Sequence, residues 1–216
     1  MSISRRLQLI EFAKRNECWI IEDDYDSEFR YSGNPLPSVQ GLDKTGRIIY
    51  LGTFSKVLFP GLRLGYLVLP DADMAKEFYS AKFIVDRQCP IFEQMVLTKF
   101  IEEGHFTRHI RKMKILYKLR QEFLVNEINK NMDGIMKADP SPAGMHIIGW
   151  LNENMDDKKI TEEARKSNII VNPLSNYSIK YFKKPGLILG YTAFDNREIK
   201  KAVSELKKIL QYQKVI

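Results

Sequence analysis

The sequence predicts an α/β fold in two parts, a sheet-bearing first part and a smaller α/β module behind it. Three observations carry this. Apolar strands near residues 18–22, 47–52 and 63–69 are rich in Ile, Leu, Tyr and Val, the composition of strands covered on both faces. Long helical stretches separate them from a second set of shorter strands near 144–151, 169–171 and 187–191. Between the two sets, residues 131–142 carry Gly134, Pro140 and Pro142 and read as a hinge or linker.

Taken in order, a helix over 6–14 comes first. The strand Cys18-Trp19-Ile20-Ile21 then delivers Glu22, Asp23, Asp24 and Tyr25 to its carboxyl end, before a polar loop with Gly33, Pro35 and Pro37. Strands over 47–52 and 63–69 flank a turn that contains Lys56. After Pro70, Asp71 and Asp73 open a helical stretch to about 101, broken or restarted at Pro90. Gly104 separates it from a helix over 105–131, whose Ile110, Met113, Tyr117, Phe123 and Ile128 fit one buried stripe. The last module adds helices near 161–166 and 197–211. The resulting boundaries are 1–103, a long linking helix over 104–135, and a small α/β domain over 136–216.

At 216 residues the chain has room for one sizeable domain or two small ones, and its 44% hydrophobic content is that of a globular protein. Cys18 and Cys89 fit no metal or disulfide pattern and suggest a reducing, cytoplasmic setting. The stretch Leu7-Gln8-Leu9-Ile10 after Arg5 and Arg6 is interrupted by charge at Glu11, too soon for a signal peptide, and no apolar run is long enough to span a bilayer. His146 lacks metal-spaced companions and reads as structural. The formal net charge of +7, with Arg108, Arg111, Lys112, Lys114, Lys118 and Arg120 on one helix, raises nucleic-acid binding as an alternative. Those six residues do not share one helical face, so a solvated surface is the commoner explanation, and no direct DNA binding is expected.

The chemistry concentrates in Gly52-Thr53-Phe54-Ser55-Lys56-Val57-Leu58-Phe59-Pro60-Gly61-Leu62-Arg63. It places one lysine between hydroxyls and an arginine, just after an apolar strand, where an open α/β sheet binds its ligands. With acids one strand upstream, this pattern suggests a pyridoxal phosphate site, which needs an amine, a carboxylate for the ring nitrogen and donors for the phosphate. Lys56 is the amine. Thr53, Ser55 and Arg63 offer phosphate donors, and Pro60-Gly61 forms a turn that returns Arg63 to the site. Glu22, Asp23 and Asp24 are all candidates for the ring carboxylate, since adjacent acids are costly without a nearby cation.

These residues resemble the aminotransferase-like domain of the MocR/GabR-type regulators of the GntR family, a fold-type I, pyridoxal-phosphate-dependent (aminotransferase class I/II) domain fused behind a DNA-binding winged helix. Four segments carry the resemblance in order: the opening Met1-to-Ala13 stretch, Ile20-to-Tyr31, Gly52-to-Tyr66, and Gly104-His105-Phe106-Thr107-Arg108-His109-Ile110-Arg111-Lys112-Met113. The resemblance makes Lys56 the Schiff-base lysine and Asp23 the partner of the ring nitrogen. It gives Tyr25 the ring's phenolic oxygen and Thr53, Ser55 and Arg63 the phosphate. It also implies that the chain matches the second half of such a domain, a partial large domain plus the small C-terminal domain. The winged helix, the glycine-containing phosphate loop and several sheet strands would lie in the portion before it. Expected partners are a second copy in a homodimer or a complementing N-terminal half-domain, and a small amine or amino acid ligand. With its sheet incomplete, the chain by itself is expected to expose apolar surface and to associate.

Two departures bear on substrate. Ile188 stands where related transaminases carry a carboxylate-gripping arginine, and Ser175-Asn176-Tyr177 replaces the Ser-Arg-Tyr segment of many regulators. Asn176 can hydrogen-bond a carboxylate without the charge of a guanidinium. A ligand-sensing half-domain of a regulator is therefore the leading expectation, with a transaminase-type enzyme as the alternative.

Overall fold

Helix α1 (Ile3–Arg15) starts where the Ser2 hydroxyl accepts the Arg5 N–H at 3.3 Å, and it buries Ile10 and Ala13 on the same face. A computed structural model of the chain describes residues 1–179 and 184–213. They fall into two compact units, one of residues 1–28 and 33–110, the other of residues 29–32 and 111–216.

The first unit holds a three-stranded sheet in the order β1-β2-β3. Strand β1 (Ile20–Asp24) runs parallel to β2 (Ile48–Thr53), in register from Ile20–Ile48 to Asp24–Gly52. The ladder thus holds the three acids within the strand, two residues further along than the apolar run alone predicts. Strand β3 (Gly65–Val68) returns antiparallel, pairing Gly52 with Tyr66 and Thr53 with Gly65. The short helix α2 (Val39–Leu42) connects β1 to β2 and joins Ile10, Val39 and Ile48 in a small core. Helices α3 (Ala72–Asp86) and α4 (Ile91–Glu102) follow, the second starting behind Pro90 as its position predicts. α3 buries none of its residues, although it carries Phe78, Tyr79, Phe83, Ile84 and Val85.

Helix α5 (His105–Asn131) follows Gly104, whose φ of 73° suits glycine, and the division between the units falls after Ile110 within it. In the second unit, β4 (Met136–Ala138), β5 (His146–Leu151), β6 (Asn172–Pro173) and β7 (Gly186–Gly190) form an antiparallel sheet in the order β4-β5-β7-β6. Helices α6 (Asp157–Lys166) and α7 (Asn196–Gln213) complete it. The core gathers α5 residues such as Leu124 and Ile128 with Ile147, Leu187, Ile160 and Leu210.

Two local readings of the sequence are corrected here. The segment 131–142 is not simply a linker, because it contains β4 with Met136 and Ala138 buried. The Asn129 side chain bonds both the N–H and the carbonyl of Ala138, acting as a neighbouring strand would. Ile169-Ile170-Val171 is not a strand. Asn168 takes a left-handed conformation (φ 58°) and the Ile169 N–H turns back to the Ala164 carbonyl, so Ile169 closes α6 and strand pairing begins only at Asn172. No helix among the described residues is long and apolar enough to cross a membrane.

Candidate cofactor site

The parallel pairing of β1 and β2 brings their carboxyl ends together, with Asp24 opposite Gly52 and the Lys56 turn leaving directly after Thr53. Strand alternation then sorts the acids. Glu22 and Asp24 share one face of β1 and both are held. The Glu22 carboxylate accepts the Val39 and Gln40 N–H groups at 2.8 and 2.9 Å, filling the N-terminus of α2, and lies 3.6 Å from Arg6. Asp24 accepts the Tyr50 hydroxyl at 2.8 Å and the Ser27 N–H at 3.2 Å. Asp23 points to the opposite face, is exposed, and among the described residues makes no hydrogen bond or ion pair. Sequence reading left three carboxylates open on chemical grounds, and of the three only Asp23 has no internal partner among the described residues.

The Lys56 turn is closed by the Leu58 N–H on the Phe54 carbonyl (2.9 Å) and rooted by the Phe54 N–H on the Leu64 carbonyl (3.0 Å). Lys56 is exposed and unpaired among the described residues, while its neighbour Val57 is buried. A 3-10 turn over Pro60–Leu62 ends at Arg63, which adopts a left-handed backbone (φ 51°, ψ 30°). Because Leu64 is tied to Phe54, Arg63 returns beside the lysine turn, as the Pro-Gly signal predicts. The Arg63 side chain is likewise exposed and unpaired among the described residues.

The two hydroxyls differ. Thr53 Oγ1 accepts the Ser55 N–H at 3.2 Å and donates to the Leu64 carbonyl across 3.4 Å, a bond at the outer limit and readily exchanged. The Ser55 hydroxyl makes no hydrogen bond among the described residues and is the freer donor. Tyr25 sits in the bend after β1, partly exposed.

Asn176 belongs to the other unit, on a 3-10 turn over Leu174–Tyr177, and is exposed. That turn is anchored by Asp157, a buried carboxylate at the start of α6. It accepts the Ser175 N–H at 2.9 Å, the Ser175 hydroxyl at 2.6 Å and the Gly186 N–H at 3.4 Å. Ile188 sits in β7 between Ile148 and Asn172 on the flanking strands, with no cationic side chain at either paired position.

Sequence reasoning missed the aromatic support under the strand ends. The Tyr66 ring lies over Gly52, where a Cβ would come within 2.3 Å of its Cζ, and it contacts the rings of Tyr50 and Phe54. Phe106 on α5 meets Phe54 edge-on at 6.0 Å, and His109 Nε2 lies 3.0 Å from the Val57 carbonyl. Phe106 and His109 both lie in the Gly104-to-Met113 motif, which was the available signal for them.

The residues present fit pyridoxal phosphate in kind: a free amine, a free carboxylate one strand away, an available hydroxyl and a free guanidinium, all in one unit. Comparison with known proteins agrees. Residues 4–206 match the family of aminotransferases class I and II. The chain is 35% identical over 207 residues to the probable rhizopine catabolism regulatory protein MocR of Rhizobium meliloti, covering 96% of this chain and 42% of that protein. It is 30% identical to aromatic-amino-acid aminotransferase 1 of Thermococcus litoralis, over 98% of this chain and 50% of the other. The crystal structure of kynurenine aminotransferase from Pyrococcus horikoshii superimposes with a TM-score of 0.87 at 31% identity, covering 98% of this chain and 52% of that one. The chain thus spans about half the length of the relatives it matches, which include both regulators and enzymes. Pyridoxal phosphate is the cofactor that this family and these neighbours indicate. With an α/β fold, a lysine turn and an adjacent free acid that all fit, the chain belongs to the aminotransferase class I and II family.

Proposed function

We propose that this chain is the pyridoxal-phosphate-binding portion of an aminotransferase-like domain that senses an amine or amino acid for a MocR/GabR-type transcription regulator. The observation that carries the reading is the division of labour among the acids: Glu22 and Asp24 are occupied inside the fold, and Asp23 is left free beside the lysine turn.

In this reading Lys56 holds the cofactor through its side-chain amine, and Asp23 keeps a positive charge on the ring nitrogen by pairing with it. Ser55 and Arg63 grip the phosphate, Thr53 joins them once its hydroxyl turns from Leu64, and Tyr25 bonds the ring's phenolic oxygen. When bound, the cofactor supplies an electron sink for charge developing beside the ligand's amino nitrogen. Sensing is favoured over turnover because Asn176 and Ile188 offer no guanidinium for a substrate carboxylate. The competing reading, an aminotransferase, uses the same residues with Lys56 also moving the proton at the substrate's α-carbon.

The partner in either reading is a second copy or a complementing half-domain. Every residue of β3 is exposed, and Tyr79, Ile84 and Val85 on α3 are more than 70% exposed, as surfaces awaiting a neighbour would be.

Reduction with borohydride in the presence of pyridoxal phosphate, followed by peptide mass spectrometry, tests the assignment. Selective pyridoxyl labelling of Lys56, absent in Lys56→Ala, supports it. Labelling spread over the surface lysines, or a wild-type pattern in Asp23→Asn, overturns it. Half-transamination of bound cofactor by amino acids at catalytic rates would move the reading from sensor to enzyme.

A further inference from the structure

The lysine turn is held at both feet by the first turn of one helix. Phe106 and His109 are three residues apart and therefore share a face of α5. Phe106 packs edge-on against Phe54, two residues before Lys56. His109 reaches the carbonyl of Val57, the residue directly after Lys56, from 52 positions away in the chain. A carbonyl can only accept, so Nε2 carries the proton and donates. Val57 itself is 2% exposed, and His109 also borders a cavity of about 250 Å³ with Leu58, Leu62, Leu97 and Phe100. The bond is part-buried with apolar side chains on its flank, so its loss removes the Val57 carbonyl's partner within the protein.

We infer that His109 is a positioning residue for Lys56: by fixing the Val57 carbonyl it sets the backbone of the lysine turn and so the origin of the lysine side chain. The lysine is long and flexible, with no ion pair of its own to steer it among the described residues, so its aim depends on where its Cα is held. A helix gives a more exact anchor than a loop would. This inference rests on Lys56 being the cofactor lysine for its functional meaning, but the brace itself is independent of any cofactor.

The test uses the whole chain and two matched variants. In His109→Gln the side-chain amide nitrogen reaches about as far as Nε2 and keeps a donor. In His109→Asn the donor is too short to reach Val57. Amide hydrogen exchange of peptides covering residues 53–59, without cofactor, reads the brace directly. Exchange two- to tenfold faster in His109→Asn, and close to wild type in His109→Gln, is expected from the loss of one shielded hydrogen bond. Equal exchange in all three proteins overturns the inference. So does faster exchange in both variants to the same degree, which would mean that bulk rather than the donor matters. Should His109→Asn fail to fold by circular dichroism, His109→Leu takes its place under the same criteria. Borohydride labelling of Lys56 in the same proteins should fall in His109→Asn and recover in His109→Gln. If wild type shows no selective labelling while the exchange pattern holds, the cofactor reading fails and the brace stands.

Discussion

The Tyr50 hydroxyl donates to Asp24 Oδ2 at 2.8 Å, and this bond divides the work of two adjacent acids. Asp24 becomes part of the fold, while Asp23, one residue earlier and on the other face of the strand, stays free. Asp24→Asn is therefore expected to lower stability by about 1–2 kcal/mol. Asp23→Asn should leave the melting curve nearly unchanged while weakening cofactor retention. Thermal melts and borohydride labelling of the two variants check the division, and a matched loss of stability in both would refute it.

The same bond sets an alkaline limit. Burial pushes the Tyr50 phenol up, and the hydrogen bond and negative charge of Asp24 push it further, well above the ordinary tyrosine range. For a group whose folded value is raised, the stabilisation is complete below the unfolded value, about pH 10, and is lost as pH rises above it. Wild type should lose stability more steeply than Tyr50→Phe above about pH 10. Urea unfolding at pH 8 and above reads this, and parallel curves would contradict it.

On the acid side the sign is reversed. Burial alone would raise the Asp43 carboxyl, but Thr45 through its hydroxyl and N–H, and the N–H groups of Arg47 and Ile48, together hold it below its usual value. Its contribution is present above the unfolded aspartate range and disappears as pH falls through the folded value. Glu28 opposes it: burial and the nearby charges of Asp24 and Asp26 outweigh a backbone bond and raise its carboxyl. Protonating Glu28 then relieves a cost. Asp43→Asn should flatten the loss of stability below about pH 4, whereas Glu28→Gln should remove a gain that the wild type makes as pH falls toward 4.5 from above. Acid unfolding monitored by tryptophan fluorescence distinguishes the two.

Asp157 offers a test in the second unit. Its carboxylate is 3% exposed and holds Ser175 and Gly186, so Asp157→Ala leaves buried donors unpaired. A loss of about 2–3 kcal/mol is expected. Ser175→Ala should cost less, since the Ser175 N–H remains bonded.

The exposed face of α3 predicts association. A protein of these 216 residues should self-associate in size-exclusion chromatography, and replacing Ile84 and Val85 by glutamate should reduce that association. A dilute monomer with a sharp, reversible melt would count against this.

How far the sequence could be read depended on how local each signal was. The lysine turn, the Pro60-Gly61 return of Arg63 and the helix restart at Pro90 all follow from neighbouring residues, and they appear where the sequence puts them. Among Glu22, Asp23 and Asp24 only the resemblance singled out Asp23; residue chemistry alone could not, because the partners of the other two are a helix N-terminus at Val39 and a tyrosine on the next strand. β4 was hidden by Gly134 and two prolines around it, since its three residues are defined by pairing with β5 and by a side chain of α5 on the other edge, neither of them local. Ile169-Ile170-Val171 has strand composition, yet the ending of α6 claims its first residue. His109 lay within a quoted motif, but its partner is 52 residues away.

The left-handed backbone at Arg63 separates folding from recognition at that position. A side chain there costs roughly 1 kcal/mol that glycine would avoid, while glycine would loosen the unfolded chain by a comparable amount. Arg63→Gly is thus expected to be close to neutral for the fold, and in the proposed reading its consequence falls on the phosphate grip. At this point in the sequence a single substitution could silence the site in a chain that still folds, so a correctly folded descendant need not be a working one.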